Sequence, residues 1–261
     1  MRPKRQVWRH LAPACTRCTY LHPVHHQFLL PSAGRESVRG LPGGHEPVVL
    51  TDATGATLRV AAGALAEDTA VAFQSAILSS FLPATPSLVP VGEFAVDLAG
   101  RTLGTPAVLD VPLSTVGAGL GRSLESTDTL LVARIERVDG VPHPMVVALA
   151  EVSGDRVVSQ VPLGFAGVVR GGRYVLYVAT VPVGVVGGFT RLADGTGARS
   201  VVATDTAPFI AVGATTGEYT VTTLAGPATV TARVTGTALR REESVAIPGG
   251  VGSGFSRTIW I

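Results

Sequence analysis

The feature that most restricts this chain is apolar and polar residues alternating with a period of two, in short runs bounded by Gly, Pro, Asp and Ser. In "TLRVAAGAL" Leu58 and Val60 flank Arg59, and in "GEFAVDL" Phe94, Val96 and Leu98 alternate with Glu93 and Asp97. "AVLDVPL" sets Leu109, Val111 and Leu113 on one face and Asp110 on the other. Successive side chains of a strand point to opposite faces, so this pattern predicts half-buried antiparallel strands and not helices. Thr69–Ala76, Thr129–Val138, Met145–Val152, Arg156–Val161 and Arg173–Thr180 are further candidates. Short strands at near-regular spacing argue for sandwiches or barrels. The 31 glycines and 18 prolines among 261 residues supply the turns such folds need.

The mean hydropathy of +0.38 raises the question of a membrane span. The uncharged run Thr69–Gly92 is broken by Pro83, Pro86 and Pro90, and Tyr174–Thr190 contains Pro182 and several glycines. Neither makes a spanning helix of about 20 apolar residues. The net charge of +2 is unevenly distributed. Residues 1–45 carry Arg2, Lys4, Arg5, Arg9, Arg17, Arg35 and Arg39 against Glu36 alone, which leaves 14 basic against 18 acidic residues beyond them. No basic stripe interleaved with aromatics follows residue 45, so nucleic acid is not an expected partner. Asn is absent and Lys4 is the only lysine, which excludes N-linked glycosylation and Lys–Asn cross-links. Arginine in place of lysine, with the Ala, Gly and Val bias, points to a bacterial source.

Residues 1–45 show neither strand nor helix periodicity and end in the turn-rich "SAGRESVRGLPGGHEP". The reading is a disordered basic leader. Within it, Cys15, Cys18, His22, His25 and His26 are donor types that zinc accepts. A structural zinc site draws its second pair from a separate turn, whereas His22 follows Cys18 closely and Pro23 interrupts the set, so no metal is expected. "LAPAC" resembles a lipid-anchor signal, but Ala12 occupies the position where such signals carry leucine. "VWRHLAPAC", interrupted by Arg9 and His10, also falls short of the apolar core of about 7–15 residues that a signal peptide needs.

Two segments resemble known modules. "TLRVAAGALAEDTAVAF" (57–73) and "VGEFAVDLAGRTLGTPAVLDVPL" (91–113), with Pro106 and Pro112, resemble the ZU-type β-sandwich domain of netrin receptors, ankyrins and tight-junction proteins, which also occurs in large bacterial surface proteins. The resemblance covers roughly 47–180. "TTGEYTVTTLAGPATVTARVTG" (215–236) resembles the hairpin of the carboxypeptidase regulatory-like, transthyretin-like sandwich, a small seven-stranded module of secreted bacterial proteins. In it Tyr219, Val221, Val230, Ala232 and Val234 are expected to face a core, with Ala225, Gly226 and Pro227 turning the chain. These resemblances imply non-catalytic interaction or structural modules outside the cell.

Motifs for chemistry are sparse. His143, in "VPHPM", is the one histidine beyond residue 45 and is read as an exposed loop residue, with no Gly-x-Ser-x-Gly elbow to pair with it. "GAGLGRS" (117–123) lacks the Gly-Lys-Ser/Thr ending of a phosphate-binding loop and is read as a strand connection. Asp194 and Asp205 are isolated acids, where calcium needs about 6–8 converging oxygens. Arg240, Arg241, Glu242 and Glu243 read as a charged strand edge that discourages unwanted pairing.

The expectation is therefore an all-β chain of two antiparallel β-sandwich modules, Ig-like or transthyretin-like. They would occupy 46–180 and 181–248, after the leader at 1–45 and before a linker or further segment at 249–261. Catalytic, cofactor-binding and metal residues are expected to be none. The expected role is a spacer, stalk or adhesion segment of a secreted or cell-surface bacterial protein, offering strand edges and loops to a protein or glycan. The alternatives are accessory β-domains of a larger secreted hydrolase, and a zinc-binding regulatory leader.

Overall fold

The computed structural model describes residues 46–65, 69–117, 119–250 and 255–261. The leader, with Cys15, Cys18 and His22, lies outside them. The first strands are β1 (Val48–Thr51), β2 (Thr57–Val60), β3 (Ala72–Ala76), β4 (Leu88–Asp97), β5 (Thr102–Pro112), β6 (Thr129–Val138) and β7 (Val141–Ser153). They continue as β8 (Arg156–Gln160), β9 (Val168–Arg170), β10 (Gly172–Ala179), β11 (Val183–Arg191) and β12 (Ser200–Thr204). The last are β13 (Ile210–Val212), β14 (Glu218–Leu224), β15 (Gly226–Val234), β16 (Arg240–Ile247) and β17 (Phe255–Trp260). One 3-10 turn, Leu113–Thr115, is the only helical element among the described residues. The all-β expectation is met, and no described helix is long and apolar enough to cross a membrane.

β1 to β10 form one antiparallel sheet in the order β1-β2-β5-β8-β7-β6-β10-β4-β3, with β9 beside β5. Its inner face buries the residues that alternation marked, Leu58, Val60, Phe94, Val96, Leu109 and Val111 among them. Phe73 stacks on Phe94 with ring centroids 6.1 Å apart. The sheet curls until its edges meet, so the first segment is a nearly closed curled sheet and not a pair of facing ones. Asp52 makes the seam. Its Oδ1 accepts from the amides of Thr54 (2.8 Å) and Ala56 (3.1 Å), and its Oδ2 accepts from the amide of Ser75 at the far edge (2.6 Å).

Burial works to raise the Asp52 pKa, but hydrogen bonds from Ser75 and Thr54 outweigh it and hold the carboxyl below its ordinary value. A carboxyl depressed on folding stabilises fully above its unfolded value of about 3.9 and stops doing so as pH falls through the lower folded value. Asp52→Asn is therefore expected to cost about 1–2 kcal/mol at neutral pH. The gap between the urea midpoints of variant and parent should narrow between about pH 5 and about pH 2.

The second segment consists of two sheets, β14-β11-β17 and β13-β12-β15-β16, enclosing a core of Val186, Val202, Tyr219, Val221, Val230, Ala232, Ile247 and Ile259. Two sheets packed over a shared core give this segment its β-sandwich character. Three details depart from the sequence reading. The stretch 215–236 is not a hairpin, because β14 pairs with β11 while β15 pairs with β12 and β16, so the chain changes sheets at Ala225. Val234 is only partly buried. The pairing is also not wholly antiparallel. β17, in the segment read as a linker or further piece, lies parallel to β11, from Val186 opposite Phe255 to Arg191 opposite Trp260, with Ile259 fully buried. Gly188 makes that approach possible, since a Cβ there would sit 1.7 Å from the Arg257 carbonyl oxygen.

Only Thr180–Pro182 separates β10 from β11. A third core forms where the segments meet. Leu88, Leu131, Ala133, Val146, Val175 and Tyr177, on the outer face of the large sheet, pack with Val183, Ala207 and Phe209 of the second segment. Tyr177 and Phe209 meet edge to face, centroids 5.4 Å apart, a geometry worth about 0.5–1.5 kcal/mol beyond the area buried. Beside this core the Thr180 amide donates to the Ser87 carbonyl (3.0 Å). All described residues belong to one compact unit.

Candidate functional site

The residues first considered for chemistry stay apart. His143 lies within β7, half-buried and opposite Glu136 on β6, a strand position where a loop was expected. Its flanking prolines are accommodated in β7 as it pairs with β6. Gly117 and residues 119–123 lie between the 3-10 turn and β6, and Arg122 there forms a two-point ion pair with Asp128. Asp194 folds onto its own turn, accepting from the Thr196 amide (2.9 Å), whereas Asp205 accepts from the Thr229 amide (2.8 Å). Among the described residues no three His, Cys, Asp or Glu side chains converge as a metal site. On β16 Arg240 pairs with Glu242, and Glu243 pairs with Arg257 of β17 (2.8 Å).

Two carboxylates that alternation assigned to a solvent face are buried. Asp110 is 2% exposed and is held by Arg59 of β2 and Arg156 of β8. Glu93 is 1% exposed and is held by Arg173 of β10 and by the Ser79 amide (2.8 Å). Arg173 also lies over the Phe81 ring, 5.2 Å from its centroid. Each cluster closes over its own acid, Asp110 between two arginines and Glu93 against one, which makes it a structural clamp.

Cations also gather at a cavity of about 460 Å3 between the two segments. Arg134 and Glu136 of β6, Met145 and Val147 of β7, and Arg170 of β9 line one side. Arg199 and the stretch Val212–Thr215 line the other. Three arginines face one glutamate. Arg134 pairs with Glu136 through Nη2, its side chain is 12% exposed, and its Nε is buried without an acceptor. Burial, with the nearby Arg170 charge, holds the Arg134 pKa below its ordinary value. Burial pushes the adjacent Tyr174 phenol up to about 12, and its hydroxyl donates to the Arg170 carbonyl. A cavity of about 500 Å3 beside the connection between the segments has Arg122 as its one lining cation, and Asp128 already neutralises it. The arginine cavity escaped sequence reading because its cations come from separate strands and loops. The only local signal is an Arg inside the otherwise apolar strand "LLVARI".

No family model matches the chain, and no curated protein matches it. Among solved structures the Bacillus anthracis TIE protein aligns over 73% of this chain at 10% identity with a TM-score of 0.26. The chain spans 40% of the length of that structure. A likeness so slight carries no argument about fold or role.

Proposed function

We propose that the chain is a non-catalytic structural and interaction segment, a spacer or stalk that transmits tension within a secreted or cell-surface protein. The observation that carries this reading is the parallel pairing of β11 with β17. Tension entering at Val183 and leaving beyond Trp260 pulls two adjacent parallel strands in opposite directions along their length. Their hydrogen bonds then share the load, whereas strands peeled from one end break them in turn. Resistance to forced unfolding is set by the height of the unfolding barrier, and sharing the load raises it. The core shared by the two segments lets tension pass from the large sheet into this pair. On this reading the first segment is a ZU-type module and the second a carboxypeptidase regulatory-like one, both force-carrying β-modules whose exposed loops and strand edges meet a protein or glycan.

Single-molecule pulling tests this, with Cys15 and Cys18 replaced by serine so that handles attach only at chosen sites. Handles at Pro47 and Ile261 shear the β11–β17 pair. Handles at Ala193 and Ile261 grip both strands at their C-terminal ends and unzip them. The shear arrangement is expected to rupture the second segment at clearly higher force, and Gly188→Ala, which displaces β17, should abolish the difference. Equal forces in the two arrangements would rule out the role.

A further inference from the structure

We propose that the arginine-lined cavity between the two segments binds a small ligand bearing an oxyanion on a compact apolar or sugar-sized body. A volume of about 460 Å3 is within the range of small-molecule sites. Its lining combines apolar side chains, Met145, Val147 and Val212, with cationic ones. Glu136 compensates one of the three arginines, so the cavity carries surplus positive charge.

The Arg134 Nε–H is the particular donor that lacks an acceptor. A guanidinium presents its donors in a fixed planar fork, and Glu136 engages that of Arg134 through Nη2. Nε is enclosed in the wall, so a ligand oxygen would meet the exposed guanidinium groups of Arg170 and Arg199, with the Arg134 charge behind them. Carboxylate, sulfate and phosphate all match such forks. The cavity takes walls from both segments, so occupancy would tie them together by mass action, stabilising the joined body as ligand rises above its dissociation constant. This site is independent of the tension-bearing role, and the failure of either leaves the other standing.

The experiment uses the full chain and three probes: benzoate, its neutral isostere benzamide, and inorganic phosphate. Binding is followed by the amide resonances of Gly213, Ala214 and Thr215 and by calorimetric titration. Benzoate or phosphate is expected to saturate the site while benzamide does not. Preference for benzoate assigns a carboxylate, and preference for phosphate assigns a tetrahedral oxyanion. Arg199→Gln should weaken the preferred probe about tenfold, the size of one charge-assisted hydrogen bond, while Arg233→Gln, outside the cavity, leaves it unchanged. Arg134→Gln should also weaken it by removing charge from the wall, its amide spectrum being compared first with that of the parent because the residue lies inside β6. Three results would overturn the site: equal response to benzoate and benzamide with none to phosphate, parent-like binding by Arg199→Gln, or shifts that never saturate with any probe, the mark of a loose ion atmosphere.

Discussion

Phe209→Ala is expected to destabilise the protein by about 3–5 kcal/mol, the range for truncating a fully enclosed aromatic side chain. Phe209 is completely buried and belongs to neither segment's own core; it packs among Leu88, Leu131, Val175 and Tyr177 where the segments join. Truncation opens a cavity there and removes the edge contact with Tyr177. The loss should therefore have a second signature beyond its size. With the junction weakened, the two sheet systems should begin to unfold separately, broadening or splitting the thermal transition. Phe209→Leu keeps most of the volume and should cost less, about 1–2 kcal/mol. Urea and thermal denaturation of the two variants beside the parent checks both points.

Arg173→Met should be nearly as damaging, again about 3–5 kcal/mol, because it strands the Glu93 carboxylate in a buried position. The Glu93 side chain is wholly enclosed, and its other hydrogen-bonding partner is Ser79. The compensated variant distinguishes this cause from lost packing on Phe81. Glu93→Leu combined with Arg173→Met removes both charges at similar volume and should recover most of the loss, since burying an ion pair gains little over apolar packing. A double-mutant cycle on the two positions reads the coupling directly. If the double variant is as unstable as Arg173→Met alone, packing of the arginine stem dominates and the buried charge does not.

Much of the strand map was legible because it depends on local alternation. Thr129–Val138 is β6 to the residue, and Leu58, Val60, Phe94 and Val96 are buried as the pattern required. Pairing partners and coverage of the outer face were not legible. Glu93 and Asp110 satisfied the rule that charged residues alternate outward, but outward here is not solvent. Arg59 and Arg156 close over Asp110, and Arg173 with the Ser79 backbone closes over Glu93. Those arginines lie far from the acids in sequence, 51 and 46 residues for Asp110, so periodicity within a strand cannot reveal them.

The same limit explains the misread hairpin. "LAGPA" has the composition of a tight turn, and it does turn the chain, but into the opposite sheet. A turn signal fixes where direction changes and not which strand receives the hydrogen bonds. Parallel pairing of the first and last strands of the second segment is non-local in the same way. Gly188 is its one trace in the sequence, meaningful only once Arg257 is known to face it. The cavity arginines are similarly unreadable, because their convergence depends on how the two sheet systems pack.

The two sheet systems, sharing the Tyr177–Phe209 core, are expected to behave as one body. Differential scanning calorimetry of the chain tests it most directly. The expected result is a single transition whose calorimetric and van't Hoff enthalpies agree, with Phe209→Ala converting it into two. Two well-separated transitions in the parent chain, unchanged in spacing by Phe209→Ala, would contradict it and reduce the junction to a passive contact between independent modules.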